Sequence, residues 1–207
     1  MRSYGQYCGL ARALDRVGSR WTLLVVRELL VSPQRFSELR RAMPGVPSNL
    51  LAERLRELVA DGVVERREAE DAVVYALTPL GLALEEAVLA LVRWGGAFMR
   101  ARDGEPFHPP WLVVALRALL ADARAEQPWA AELRTEGGAV TVRAGPEGVA
   151  VGVGPAPDAA AVLSAPPEVL LGLVAGELPL EVAVAAGLEV WGPAGPEVVR
   201  WLATRRA

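Results

Sequence analysis

The chain has 207 residues, 52% of them hydrophobic and 23% charged, a balance that excludes a disordered polymer and supplies apolar material for one large core or two small ones. Its formal net charge of −3 excludes indiscriminate coating of nucleic acid but leaves room for a local basic DNA-binding surface. Cys8 is the single cysteine, so neither an internal disulfide nor a cysteine-built zinc site can form.

The start of the chain shows no basic region followed by an apolar run, and the longest apolar stretches are broken by Arg, Glu, Gly or Pro. A cytoplasmic protein without a membrane partner is expected. The chain has no lysine, so its cationic residues are all arginine, the better residue for bidentate contacts to phosphate and guanine. Most of the arginines precede Asp103, and beyond Pro106 the chain turns to Ala, Val, Gly and Pro. Gly104, Pro106, Pro109 and Pro110 cannot extend a helix. The expected division is therefore a domain over 1–102, a linker over 103–110 and a second domain over 111–207. The six tryptophans are expected to anchor the cores.

In chain order, Leu10 to Val17 reads as a short helix ended by Gly18, and Ser19 is expected to cap a helix over Trp21–Leu30. Pro33 stops that helix. Ser37 is expected to cap a third helix, Glu38–Met43, and Pro44-Gly45-Val46-Pro47 forces a tight turn. Ser48 can cap a fourth helix, Asn49–Asp61, ended by Gly62 in a left-handed conformation. Val63–Arg67 and Ala72–Leu77 read as two strands of a hairpin with its turn over Glu68–Asp71. Thr78-Pro79 then starts a helix running to Val92 or on to Met99. Leu80, Leu84, Val88, Leu89 and Leu91 are more apolar residues than one domain contact needs, which favours burial against a second chain.

Helix, tight turn, helix and hairpin, in that order, form a winged helix-turn-helix, whose second helix enters the major groove. At about 100° per residue, Leu51, Leu55 and Leu58 of the fourth helix fall on one side, and Asn49, Glu53 and Arg56 on the other beside Ala52. Asn suits adenine, Arg suits guanine, and Ala leaves room or touches a thymine methyl. The Ser48 hydroxyl and the helix-start N–H groups suit a phosphate. Arg35, Ser37, Arg40, Arg41, Arg66 and Arg67 on the flanking elements are candidate phosphate contacts.

The segments Tyr7–Leu24, Arg27-Glu28-Leu29, Arg35–Leu39, Leu51–Leu58, Gly62–Arg66 and Tyr75–Gly81 resemble, in the same order, those of the HxlR family of bacterial regulators, a likeness covering 4–96. The resemblance implies a homodimeric transcription factor binding double-stranded operator DNA, with dimer contacts from the N-terminal helix and the helix after the wing. It also implies a possible redox sensor at Cys8, where Arg12 stands one turn away. Pro47-Ser48 reverses the order more usual in that family, which shifts the cap by one residue, and the acidic tip 68–71 argues against deep minor-groove insertion.

From 111 onward the reading is a helix over Leu112–Ala125, strands over Leu133–Thr135, Ala139–Arg143, Val149–Val153 and Ala159–Ser164, a helix over Pro166–Val174, a strand over Gly187–Gly192 and a helix over Pro196–Ala203. This order is similar to the sterol carrier protein type of α+β domain, which implies an apolar pocket for a lipid-like effector. The fold class is thus α+β throughout: a winged helix-turn-helix followed by a small sterol-carrier-like domain. No catalytic set, metal site or cofactor is expected: His108 falls in the linker, and Glu126, Glu132 and Glu136 form no acid–base couple. The competing reading is a small-molecule or lipid-binding protein whose winged helix serves only dimerisation.

Overall fold

The computed structural model describes residues 3–69, 72–99 and 107–204, with the side chain of Ala69 left aside. Glu70 and Asp71 of the expected wing tip, and 103–106 of the expected linker, lie outside the described residues. The chain forms two compact units, Met1–Val88 and Leu89–Ala207.

The first unit opens with α1 (Gly9–Val17) and α2 (Thr22–Val31). Ser19 does not cap α2: its carbonyl accepts the Thr22 N–H in a turn, and Trp21 occupies the cap position at φ 78° with Arg20 over its ring. The strand β1 (Gln34–Arg35), absent from the sequence reading, leads directly into α3 (Phe36–Ala42). Ser37 is accordingly inside the helix. The cap is Arg35, whose backbone N–H is taken by the Glu38 carboxylate at 2.6 Å, the N3-to-N-cap half of a capping box.

Helix α4 (Ser48–Ala60) starts one residue earlier than expected, with Pro47 as N-cap and no side-chain cap. It ends in a Schellman motif: Gly62 sits at φ 70°, its N–H donates to the Val59 carbonyl, and the Val63 N–H donates to the Leu58 carbonyl. The wing is β2 (Val64–Ala69) paired antiparallel with β3 (Ala72–Leu77), and β1 joins the other side of β3. β2 runs two residues further than the sequence suggested, into the expected turn.

The long helix expected after Thr78 is broken into α5 (Pro79–Leu82) and α6 (Glu85–Gly96). The Thr78 hydroxyl accepts the Gly81 N–H and donates to the Gly62 carbonyl, so the helix start is stitched to the end of α4. Gly81 is required there, because a Cβ would lie 2.2 Å from the Val63 carbonyl oxygen. The core of this unit gathers Val25, Val26, Leu29, Leu39, Leu51, Leu55, Leu58 and Val64.

In the second unit, α7 (Pro109–Leu119) begins at the two prolines and ends well before Ala125. Five strands follow in spatial order β6-β5-β4-β7-β8: β4 (Trp129–Thr135), β5 (Gly138–Gly145), β6 (Gly148–Val153), β7 (Ala161–Ser164) and β8 (Glu189–Trp191). β4 and β7 are parallel and the other pairs antiparallel. Helices α8 (Pro167–Val174), α9 (Leu180–Ala185) and α10 (Gly195–Ala203) complete the unit, and α9 was not read from the sequence. Leu133, Val140, Val142, Val151 and Leu163 share the sheet face that is buried with Leu112, Leu116, Leu170 and Leu202 of the helices.

Across the opposite face, the segment between β6 and β7 is tied down as a strap. The Thr141 hydroxyl donates to the Gly154 carbonyl, the Ala156 N–H donates to the Glu132 carboxylate, and Arg143 forms two hydrogen bonds to Asp158. Glu132 is therefore a buried structural anchor, further paired with Arg134. The tryptophans do not fill the cores as expected: Trp94 and Trp191 are 68% and 48% exposed, and Trp21, Trp111, Trp129 and Trp201 are half-buried, the last two meeting edge to face at 4.9 Å.

Candidate nucleic-acid interface

Leu51, Leu55 and Leu58 are at most 1% exposed, whereas Ser48, Asn49, Glu53 and Arg56 face solvent and Ala52 lies half-buried at the edge of that face. α4 thus presents an amide, a guanidinium and a carboxylate on a rigid element anchored from behind by leucines. The Glu53 carboxylate is not left as a bare negative charge. Arg54, only 12% exposed, reaches it at 3.0 Å and reaches Glu57 at 2.5 Å. This local pairing offsets the repulsion that an acidic residue on a phosphate-facing surface would create.

At the N-terminus of α4, Pro47 has no side-chain acceptor to offer, so the first-turn N–H groups have no side-chain cap. They remain oriented outward with the positive end of the helix dipole, the arrangement that favours an anion. On α3, Leu39 and Ala42 are buried, and Ser37, Arg40 and Arg41 are exposed. Among the described residues, the side chains of Arg40, Arg41, Arg56 and Arg66 have no hydrogen-bond or ion-pair partner.

The wing separates residues that the sequence grouped together. Successive side chains of a strand point to opposite faces. Gln34, Tyr75 and Arg66 form one cross-strand row, and Arg35, Val74 and Arg67 form the next, on the other face. Arg66 and Arg67 therefore cannot grip phosphates as a side-by-side pair. Arg67 is also held by Glu65 on its own face through two hydrogen bonds. Arg35, one of the candidates on the flanking elements, ends the edge strand β1 of the wing sheet and caps α3.

Cys8 is exposed at the N-cap of α1, and its carbonyl accepts the Arg12 N–H. The Arg12 guanidinium is 3.8 Å from Asp15. The Asp15 carboxyl is held below the usual range mainly by the Tyr4 N–H, then by the Ser3 hydroxyl, against a smaller burial effect. Around this segment Tyr4, Tyr7, Leu10 and Leu14 are exposed. Leu80, Leu82 and Leu91 along α5 and α6 are exposed too, followed by Trp94, Phe98 and Met99. Among the described residues, no group of three or more His, Cys, Asp or Glu could hold a metal ion, and no helix is long and apolar enough to cross a membrane.

The comparisons with known proteins each match about half of the chain or less. Over 100 residues the chain is 37% identical to the HTH-type transcriptional regulator Rv3095 of Mycobacterium tuberculosis, a match covering 47% of this chain and 63% of that protein. It is 35% identical over 101 residues to the HTH-type transcriptional regulator YkvN of Bacillus subtilis, covering 47% of this chain and 86% of that one. The solved structure of the redox regulator HypR in its oxidized form is 33% identical, over 45% of this chain and all of that one, with a TM-score of 0.43. The model of the HxlR-like helix-turn-helix family matches residues 16–103. With α4, its bracing helix α3 and the hairpin falling inside that span, the chain belongs to the HxlR-like helix-turn-helix family.

Proposed function

We propose that this protein is a transcriptional regulator, not an enzyme, that binds double-stranded operator DNA as a cytoplasmic homodimer. The observation that carries the reading is α4: three leucines lock one face into the core while Asn49 and Arg56 stand exposed on the other. That arrangement suits insertion into a major groove, where Asn and Arg read base edges. Ser37, Arg40, Ser48, Arg35 and, on the wing, chiefly Arg66 are assigned to the phosphates, Arg67 serving as a weaker contact because Glu65 holds it, and Ala52 and Glu53 to the rim of the base-reading face. The regulator names of the matched relatives support the same role.

Dimerisation is supported by the exposed apolar residues of α1 and of α5–α6, Leu10, Leu14, Leu80 and Leu91 among them, which a solitary chain would leave in water. The second unit is assigned to binding an apolar small-molecule effector in a sterol-carrier-like fold, supported by its one-sided cover of helices over a five-stranded sheet. An effector acts only by binding the DNA-competent and incompetent forms with different affinity. Cys8, exposed at the start of α1, is assigned as a redox-responsive position, and normal regulation by Cys8→Ser under quinone stress would remove that role.

The test is a gel shift of the full chain on DNA from upstream of its own gene. Sequence-specific retardation lost in the Asn49→Ala, Arg56→Ala double variant is the expected result. Equal binding to unrelated DNA, or none, contradicts it and favours the carrier reading.

A further inference from the structure

The far end of α4 is held by two other elements at once. Gly62 and Val63, just beyond it, accept hydrogen bonds from the hydroxyl and N–H of Thr78 at the start of α5. Asp61, the C-cap residue, is bound by Arg16 of α1 at 2.7 Å, across 45 positions of sequence. Local chemistry does not favour a carboxylate at this place. The C-terminus of a helix carries partial negative charge, so an aspartate there is repelled by the last carbonyls. The Asp61 side chain is only 12% exposed, and its second oxygen, Oδ2, is buried with no hydrogen-bond partner among the described residues. Its compensation is long-range and comes from Arg16. α1 for its part buries only Ala11 and Val17, and this ion pair adds a directed contact between it and the end of α4.

We infer that Arg16 and Asp61 are positioning residues for DNA reading: the pair is a strut that fixes the orientation of α4 relative to α1. Neither residue lies on the base-reading face, and neither is a phosphate contact. A displacement of α1, whose other side exposes Leu10 and Leu14, is carried through Arg16 to the end of the helix that bears Asn49 and Arg56. Removing the strut leaves α4 formed, because its leucines and its Schellman motif are independent of it, but costs the pre-orientation on which tight binding depends.

The inference rests on the DNA-reading role proposed above, and its test separates the two. Fluorescence anisotropy would follow the full chain binding its own upstream DNA at several salt concentrations, alongside thermal melting, for wild type, Arg16→Ala, Asp61→Asn and the exchanged pair Arg16→Asp with Asp61→Arg. An arginine at position 61 suits the dipole of α4, an aspartate at position 16 in the last turn of α1 opposes that of α1, and the two offset each other, so the exchanged protein keeps the strut. Each single variant is expected to bind about five- to tenfold more weakly, with the wild-type salt slope, and the exchanged pair to bind within about twofold of wild type. Single variants that bind as wild type, a salt slope shallower by about one in Arg16→Ala, or a folded exchanged pair that stays weak would each overturn the strut. If the wild type shows no specific binding, the DNA-reading role fails, and the strut with it.

Discussion

Arg66 and Arg67 are neighbours in sequence but leave opposite faces of the wing, Arg66 standing across from Tyr75 and Arg67 across from Val74. Their charges are also differently engaged, since Glu65 holds Arg67. Arg66→Ala is therefore expected to make the plot of log affinity against log salt shallower by about one, the loss of one phosphate contact. Arg67→Ala should change the slope by less than half of that. Anisotropy titrations across a salt series check this, and equal slopes for the two variants would contradict the separation.

The two faces of α4 should give opposite phenotypes. Asn49→Ala and Arg56→Ala remove exposed side chains and are expected to leave the melting temperature within about a degree, while each costs about 1–3 kcal/mol of discrimination at one base position. Leu55→Ala, at a position 1% exposed, should instead cost about 2–5 kcal/mol of stability. Calorimetry beside binding to a panel of single-base operator variants distinguishes them.

The junction after the wing makes a sharper stability prediction. Thr78→Val removes both the N-cap acceptor for Gly81 and the donor to Gly62, at a cost of about 1–2 kcal/mol. Gly81→Ala should cost about 1–3 kcal/mol or more, because the new methyl meets the Val63 carbonyl and backbone must move. Urea denaturation of the two variants measures both, and a neutral Gly81→Ala would show that the close approach is not obligatory.

Acid should loosen the second unit through its strap. The Arg134 hydrogen bond, helped by the Ala156 N–H and opposed by burial, holds the Glu132 carboxyl below the usual glutamate range. A carboxyl whose folded pKa is lowered contributes stability that is fully present above its unfolded value and is lost as pH falls through the folded one. Stability of this unit should therefore be flat at neutral pH and decline below the ordinary carboxylate range. Glu132→Gln should be less stable at neutral pH and show a shallower acid decline. Denaturation midpoints followed by Trp fluorescence from pH 7 down to about 3 test the sign; a variant that parallels wild type over that range would contradict it.

What the sequence disclosed was whatever local pattern determines. The leucine spacing of α4 and the Thr78-Pro79 start are short-range signals, and the structure follows them. Long-range pairings stayed hidden. β1 is two residues long and exists because β3 is beside it, and its extended backbone moves the cap of α3 from Ser37 to Arg35. The Thr78 hydroxyl was legible as a cap, but its bond to Gly62, 16 positions back, was not. Helix α9 offers five small or branched residues around Glu181, within Leu180–Ala185, and no periodic stripe to separate it from a strand. Glu132 read as a scattered acid because the strap that buries it is made by residues 22 and more positions away.

The most direct measurement is a hydroxyl-radical footprint of the full chain on its own upstream DNA. Two protected patches related by two-fold symmetry are expected, with centres about one helical turn or a small multiple of it apart, one for each α4. Both should vanish together in the Asn49→Ala, Arg56→Ala double variant. A single unsymmetrical patch, or protection that survives those two substitutions, would contradict the presentation of α4 to the major groove.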